Sequence, residues 1–305
     1  MSAAVDDMTE TSRVLNEEPM RKHTSWRVGG PAEHYFKPAS IEELSRFLAT
    51  LPEDVPVHWI GLGSNLLVRD AGVRGAVIAT SDLPKTLERL DGGRVRAGAG
   101  ITCMRLARQC ARWHLGPAAF FAGIPGTVGG ALAMNAGAFG GETWTAVESV
   151  ETIDRRGAVH TRSRGEFEIG YRSVQGVPAE WFVAAVFRFE HDSAASLTTL
   201  KEMLARRGET QPLGMPSCGS VFRNPPGDYA GRLIESAGLK GLRIGGAQVS
   251  EKHANFIVNT GDATAADIEA LIERVRSVVE HQAGVRLEPE VRMIGDAAGA
   301  PGSES

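Results

Sequence analysis

Cysteine is scarce in this chain: three residues, Cys103, Cys110 and Cys218, among 305. They are too few and too scattered for a disulfide framework or a zinc site, so no metal is expected and the cytoplasm is the expected compartment. No stretch approaches the roughly 18 apolar residues of a membrane span, which argues against membrane insertion. The acidic segment Met1 to Glu18 has no apolar core and reads as neither a signal nor a transit peptide. Positive charge is not in excess either: 33 Lys and Arg face 37 Asp and Glu, for a net charge of −4. Without a basic stripe to follow a nucleic-acid backbone, nucleic acid is not an expected partner. Three signatures are missing as well. The chain lacks G-x-G-x-x-G in a strand-turn-helix unit, G-x-x-x-x-G-K-[ST], and G-x-S-x-G, which disfavours a Rossmann domain, a P-loop and a serine hydrolase.

What is present is glycine in two distant loops. Gly61-Leu-Gly-Ser-Asn-Leu-Leu67 and Gly123-Ile-Pro-Gly-Thr-Val-Gly-Gly130, the latter followed by Asn135-Ala-Gly-Ala-Phe-Gly-Gly141, read as two walls of one phosphate-rich cofactor site. Glycine tolerates positive φ and lets a ligand oxygen approach the main chain, so such loops can aim several N–H groups at a diphosphate. Taken singly, each loop could equally serve only turns and close packing.

The periodicities give a mixed order of elements. Ile41 to Leu51 is helical, opened by Ser40 with Glu43 three residues on, and Val55 to Ile60 is a strand leading into the first glycine loop. Gly72 to Thr80 and Arg94 to Gly98 alternate like strands, and Cys103 to His114 is a helix ending before Gly116-Pro117. Val147 to Glu190 reads as antiparallel sheet. Leu197 to Arg207 and Tyr229 to Ala237 are helical, and Gly245 to Val258 is rich in strand. Thr264 caps the clearest helix, which runs to Ala283 with Ile268, Leu271, Ile272, Val275, Val278 and Val279 on one stripe. Val285 to Ile294 closes as a strand. At about 150 residues per domain the length suggests roughly two domains. The class is α+β, with a composition change near residues 195 to 200.

Three further segments carry side chains suited to chemistry. Arg172, in Tyr171-Arg172-Ser173, is by default a surface charge; its functional reading is bidentate capture of a carboxylate or enolate oxygen. Ser217-Cys-Gly-Ser-Val-Phe-Arg-Asn-Pro225 is either a turn into a strand or a proton-donor segment. In Leu287-Glu-Pro-Glu-Val-Arg292, alternation places Glu288 and Glu290 on one face, with Pro289 favouring a sheet edge.

Together with His23-Thr-Ser-Trp-Arg-Val-Gly-Gly-Pro31, these motifs stand in the order seen in the UDP-N-acetylenolpyruvoylglucosamine reductase family, and the chain resembles that family from about residue 20 to 295. The resemblance implies an NADPH-dependent flavoenzyme of peptidoglycan precursor synthesis, a UDP-N-acetylmuramate dehydrogenase. FAD would be held non-covalently by a two-lobed domain of the vanillyl-alcohol-oxidase type, residues 20–196 with lobes of about 20–83 and 84–196. A substrate domain would follow over 197–295, with tails at 1–19 and 296–305. The cofactor residues it implies are Gly61, Gly63, Ser64, Asn65, Leu66, Gly123, Ile124, Pro125, Gly126, Thr127, Gly129, Gly130, Asn135, Ala136 and Gly137. Ser220 matches the proton donor, with Arg172 and Glu290 as its companions, and Tyr171, Asn224 and His253 fall in the substrate region. Some relatives carry glutamine at the position of His253, and some carry cysteine at the donor position. Here Cys218 lies two residues from it, and register with Phe222 and Asn224-Pro225 favours Ser220.

The implied reaction takes hydride from NADPH by way of flavin N5 to the enolpyruvyl ether of UDP-N-acetylglucosamine, and its proton from Ser220. The short stretch between Arg172 and Ser220 matches the family type without a long tyrosine-bearing loop. A monomer is expected. An oxidase of the same flavoprotein superfamily would use similar loops, but many of those tether FAD through His or Cys and these loops contain neither. A non-catalytic nucleotide-binding module would leave Arg172, Ser220 and Glu290 idle.

Overall fold

The computed structural model describes residues 14–296. Contacts divide the chain into two units, each assembled from separate stretches. Among the described residues, the first takes 14–15, His34–Leu62 and Gly75–Arg207; the second takes Asn16–Glu33, Gly63–Arg74 and 208–296.

In the first unit, helix α1 (Ile41–Thr50) starts where the sequence placed it. The Ser40 hydroxyl accepts the Glu43 N–H at 3.1 Å, and the Glu43 carboxylate reaches back to the Ala39 N–H at 2.7 Å. Leu44, Phe47, Leu48 and Leu51 form its buried stripe, packed with Phe36, Ile78 and Val183. Strand Val57–Ile60 runs parallel to Val73–Ala79, from Val57 opposite Ala76 to Ile60 opposite Ala79. A five-stranded antiparallel sheet follows in the order Val159–Ser163, Val147–Asp154, Glu180–Arg188, Arg94–Gly98, Leu87–Arg89. Helix α2 (Cys103–Arg112), helix α3 (Val128–Met134) and that sheet share the largest apolar cluster, with Leu106, Phe121, Trp144 and Phe187 at its centre. Helix α4 (Leu197–Thr210) belongs to this unit as far as Arg207 and contributes Leu200 to the same cluster.

The second unit is built around helix α6 (Ala265–Ala283), which follows the short α5 (Ala230–Ser236). Ile268, Leu271, Ile272, Val275 and Val279 are buried, as the stripe predicts, and each such side chain contributes about 1.5–3 kcal/mol relative to exposure. The same core takes in Trp26, Val28 and Leu67 from far upstream. The Trp26 indole N–H donates to the Ile257 carbonyl at 2.7 Å, across 231 positions of sequence. A three-stranded antiparallel sheet, Arg243–Ile244, Ala247–Val249 and Ile257–Asn259, and the parallel pair Leu66–Val68 with Arg292–Ile294 complete the unit.

Several expectations are corrected. Residues 14–19 form a strand where a tail was expected. The rest of that expected tail, residues 1–13, and positions 297–305 of the C-terminal one lie outside the described residues. Strand Val285 to Ile294 shrinks to Arg292–Ile294, because Pro289 brings no N–H to a ladder and makes only an isolated bridge with Phe222. Helix α3 occupies residues read as glycine loop. Contiguous domain boundaries have no counterpart in the two units, since Trp26 and Leu67 are committed to a core formed mostly by residues beyond 208.

Candidate active site

In the first unit the Gly61 end of the first glycine loop meets the second loop. Strand Val57–Ile60 delivers Gly61 against Thr127 so closely that a Cβ on Gly61 would collide with the threonine Oγ1. Thr127 is buried and caps α3, its hydroxyl accepting the Gly130 N–H at 3.3 Å. Gly129 lies where a Cβ would stand 2.9 Å from the Ala99 Cβ, and its N–H donates to the Ala99 carbonyl at 3.0 Å. The N–H groups of Gly126 and Thr127 donate to no acceptor among the described residues. Buried main-chain donors without acceptors are rare in folded proteins. Two in succession, at the start of a helix and beside a second glycine loop, suit an anionic phosphate, so these residues fit an FAD diphosphate.

Asn135 ends α3 in a left-handed conformation, φ 46. Its carboxamide is spent inside the protein: Nδ2 donates to Glu142 and to the Gly170 carbonyl, both at 3.0 Å, and Oδ1 accepts the Trp144 N–H at 3.1 Å. Arg172 sits beside it, at the two-residue tip of a hairpin between Glu168–Gly170 and Ser173–Gln175. Its guanidinium donates to the Asn135 carbonyl at 3.2 Å and the Gly137 carbonyl at 3.0 Å, with a Glu142 oxygen at 3.6 Å. Only 15% of the side chain is exposed, so the default reading of a surface charge is overturned. Glu142, which sequence reasoning passed over, is the anionic member of this cluster. The half-exposed Tyr171 ring lies 5.0 Å beneath the guanidinium carbon.

In the second unit, Gly63 has φ 61 and packs onto the His23 carbonyl with no room for a Cβ. Its own carbonyl accepts the Ser25 N–H at 3.1 Å, which ties the loop to the His23-Thr-Ser-Trp motif. Asn65 connects the loop to the acidic segment. Its Nδ2 donates to the Glu290 carbonyl at 3.1 Å, and its carbonyl accepts the Arg292 N–H at 3.1 Å. Leu66 begins the strand paired with Arg292–Ile294. Ser64 makes no hydrogen bond among the described residues.

Ser220 and Glu290 stand on two adjoining segments of this unit. The Glu290 N–H donates to the Val221 carbonyl at 2.7 Å, and the Arg223 N–H donates to the Glu288 carbonyl at 2.9 Å. Gly219, at φ 82, turns the chain so that Cys218 points into the core while Ser220 is half-exposed. Ser220 makes no hydrogen bond among the described residues. Burial, and then the charge of Glu290, pushes the Cys218 thiol well above its usual range. The two glutamates do not share an environment: the Glu288 side chain is 75% exposed and faces Arg223 at 3.9 Å, whereas Glu290 is half-buried.

Asn224 caps α5, accepting the Ala230 N–H at 3.1 Å. His253 lies under the same helix, with its Cε1 3.3 Å from where a Cβ on Gly231 would be. Its Nδ1 faces the Asn255 N–H at 3.2 Å, which fixes the neutral Nε2–H tautomer, and burial lowers its pKa. The second unit thus groups Asn224 with His253, and Ser220 with Glu290 and Asn65. The first unit groups Arg172 with Asn135, Ala136 and Gly137, and Gly61 with Thr127.

Two family models match the chain: an FAD binding domain over residues 32–163 and the C-terminal domain of UDP-N-acetylenolpyruvoylglucosamine reductase over residues 211–294. The UDP-N-acetylenolpyruvoylglucosamine reductase of Alkalilimnicola ehrlichii is 60% identical over 295 residues, covering 96% of this chain and 99% of the relative. That of Methylococcus capsulatus is 56% identical over 284 residues, covering 93% of each. Among solved structures, the enzyme of the same name from Thermus caldophilus superposes with a TM-score of 0.79 at 35% identity, over 92% of this chain and 99% of that one. The α+β class with an FAD-binding domain is therefore established. No helix among the described residues is long and apolar enough to cross a membrane.

Proposed function

Since the chain belongs to the UDP-N-acetylenolpyruvoylglucosamine reductase family and binds FAD, we propose that it reduces UDP-N-acetylglucosamine enolpyruvate to UDP-N-acetylmuramate with NADPH as co-substrate. The FAD-binding role is assigned to residues 20–196 apart from the stretches that join the second unit, and the substrate role to 197–295. Gly61, Gly126 and Thr127 would hold the diphosphate of FAD, while Gly63, Ser64, Asn65 and Leu66 are cofactor residues by the family resemblance alone. The chemistry supplied by bound FAD is hydride transfer, from NADPH to the terminal methylene carbon of the enolpyruvyl ether.

The remaining work falls to side chains of this protein. Hydride addition at the methylene places negative charge on the neighbouring carbon and on the carboxylate. Arg172 stabilises that charge with a planar fork already oriented by two carbonyls, and the interaction aids catalysis to the extent that it strengthens in the transition state. Ser220 delivers its hydroxyl proton to the carbon that receives charge, which gives the lactyl ether. A serine is a weak acid, but a strongly basic carbon does not demand a strong one, and position decides. Glu290, when protonated, shares the carboxylate, while Tyr171, Asn224 and His253 bind the rest of the sugar nucleotide.

The observation that supports this reading is the hydrogen bond from the Glu290 N–H to the Val221 carbonyl, which joins the segment bearing the half-exposed Ser220, whose hydroxyl makes no hydrogen bond among the described residues, to the segment bearing the half-buried Glu290. Anaerobic NADPH should bleach the flavin of the purified protein, and the enolpyruvyl sugar nucleotide should restore its colour with formation of UDP-N-acetylmuramate. Bleaching without recovery would sink the assignment.

A further inference from the structure

Asn255 carries no role in the reaction described above, yet it grips the segment that bears Ser220. It is a polar side chain only 3% exposed. Its carboxamide makes both hydrogen bonds of a paired peptide: Oδ1 accepts the Phe222 N–H at 2.9 Å, and Nδ2 donates to the Phe222 carbonyl at 2.8 Å. Its own main-chain carbonyl accepts the Val221 N–H at 2.9 Å. On the other side of Val221, its carbonyl receives the N–H groups of Glu290 at 2.7 Å and Val291 at 3.4 Å. Two residues thus stand between rails, one from Asn255 and one from the Glu290 segment, and Ser220 is the residue directly before them. The serine hydroxyl has no hydrogen bond of its own to fix it. Its position relative to Glu290 therefore depends on this main-chain frame.

Resting on the function proposed above, the geometry points to Asn255 as a positioning residue for proton delivery. It holds the Val221–Phe222 peptide so that the Ser220 hydroxyl keeps a fixed spacing from Glu290. It touches none of the reacting atoms. Its loss should therefore slow the step that uses the proton and spare the step that loads the flavin from NADPH. Misplacement of a reacting group by about 1 Å can cost on the order of 10²-fold, so a shift well short of unfolding would be measurable.

Asn255→Asp is the informative variant because it preserves shape. The new carboxyl can still accept from the Phe222 N–H, but it can donate to the Phe222 carbonyl only when protonated, and burial raises the pKa of such a group. Cys218, His253, Arg223, Glu288 and Glu290 are ionisable groups on the segments that adjoin this peptide, so the parent enzyme's own pH profile is the reference. Stopped-flow traces of N255D should show NADPH-driven bleaching within about twofold of the parent at every pH. Reoxidation by UDP-N-acetylglucosamine enolpyruvate should be about 10- to 100-fold slower at pH 8 and recover toward the parent at pH 6. Amide hydrogen exchange across residues 221–224, measured on the FAD-loaded protein at pH 8, should be faster than in the parent. Reoxidation at the parent rate, equal slowing of both half-reactions, or unchanged exchange at 221–224 each overturns the positioning role. If N255D fails to retain FAD, N255S removes the clamp without adding charge, and the same split between half-reactions is required of it. A parent enzyme that is not reoxidised by the sugar nucleotide would instead overturn the proposed function, leaving the exchange result to judge Asn255.

Discussion

Arg172 has a left-handed backbone, φ 53, at a hairpin tip where glycine would be the relaxed choice. Non-glycine residues kept there cost on the order of 1–3 kcal/mol each and collect at functional sites. Its two carbonyl contacts require the planar guanidinium, which an ammonium cannot reproduce. Arg172→Lys should therefore lose about 10²-fold or more in turnover, the scale of a removed charge-stabilising donor; near-normal turnover in this variant and in Glu290→Gln would remove both from the mechanism. Ser220→Ala should leave NADPH-driven flavin reduction almost intact and slow reoxidation by about 10²- to 10⁴-fold. Cys218→Ala is the control. Its thiol is buried and held protonated, so reoxidation should stay close to the parent rate, and a crippled Cys218→Ala would reassign the proton donor. The assignment of Ser220 as donor in the proposed reaction comes from the sequence alone, from its register with Phe222 and Asn224-Pro225. Asn255 was not legible there, because the role proposed for it lies in two contacts to one residue, Phe222, 33 positions away.

Among the elements, α6 was the most legible, and its start is tied down more thoroughly than the sequence suggested. Thr264 caps it as expected, the Asp267 carboxylate accepts the Thr264 N–H in return, and the Asp70 carboxylate accepts the N–H groups of Ala265 at 3.0 Å and Ala266 at 2.9 Å. Asp70→Ala leaves two donors of the first turn without an acceptor and should lower stability by about 1–2 kcal/mol, read as a fall in midpoint on chemical denaturation at unchanged m-value. Arg69, the preceding residue, holds Glu269 on the next turn at 2.8 and 3.0 Å. That hydrogen-bonded pair lowers the Glu269 pKa, and the Thr264 N–H lowers that of Asp267. Carboxyls with depressed folded-state pKa values contribute stability that is fully present above their unfolded values, near 4, and is lost as pH falls through the folded ones. Thermal melts between pH 6 and pH 3 should show the midpoint falling with acidification, and Glu269→Gln should shallow that slope; an identical slope would show that the pair contributes nothing. Helix α3 escaped sequence reading for a related reason. Gly129 and Gly130 disfavour a helix by about 1 kcal/mol each, and only the close approach of Gly129 to Ala99 explains the first of them.

At the scale of the whole molecule, the class and the FAD-binding role were legible because several uncommon motifs stand in one order. Division into two interleaved units was not, since local periodicity cannot say which core a tryptophan will enter. The glycine loops contain no His or Cys to form a bond with a flavin, and all three cysteines are buried. Acid precipitation should accordingly release the FAD into the supernatant, and a pellet that stays yellow would show a covalent link. The bond from Trp26 to the Ile257 carbonyl also bears on how the protein is made. At roughly 5–20 residues per second, the ribosome takes about 10–45 s to extend the chain by the 231 positions that separate them. For that interval an indole destined for full burial lacks its native hydrogen-bond acceptor, and the nascent segment 16–33 carries Trp26 and Val28 without the downstream core that buries them. The core of the second unit can thus close only after Ile257 has been made, and a ribosome stalled after residue 207 should display a chain that a holdase chaperone binds through its N-terminal end.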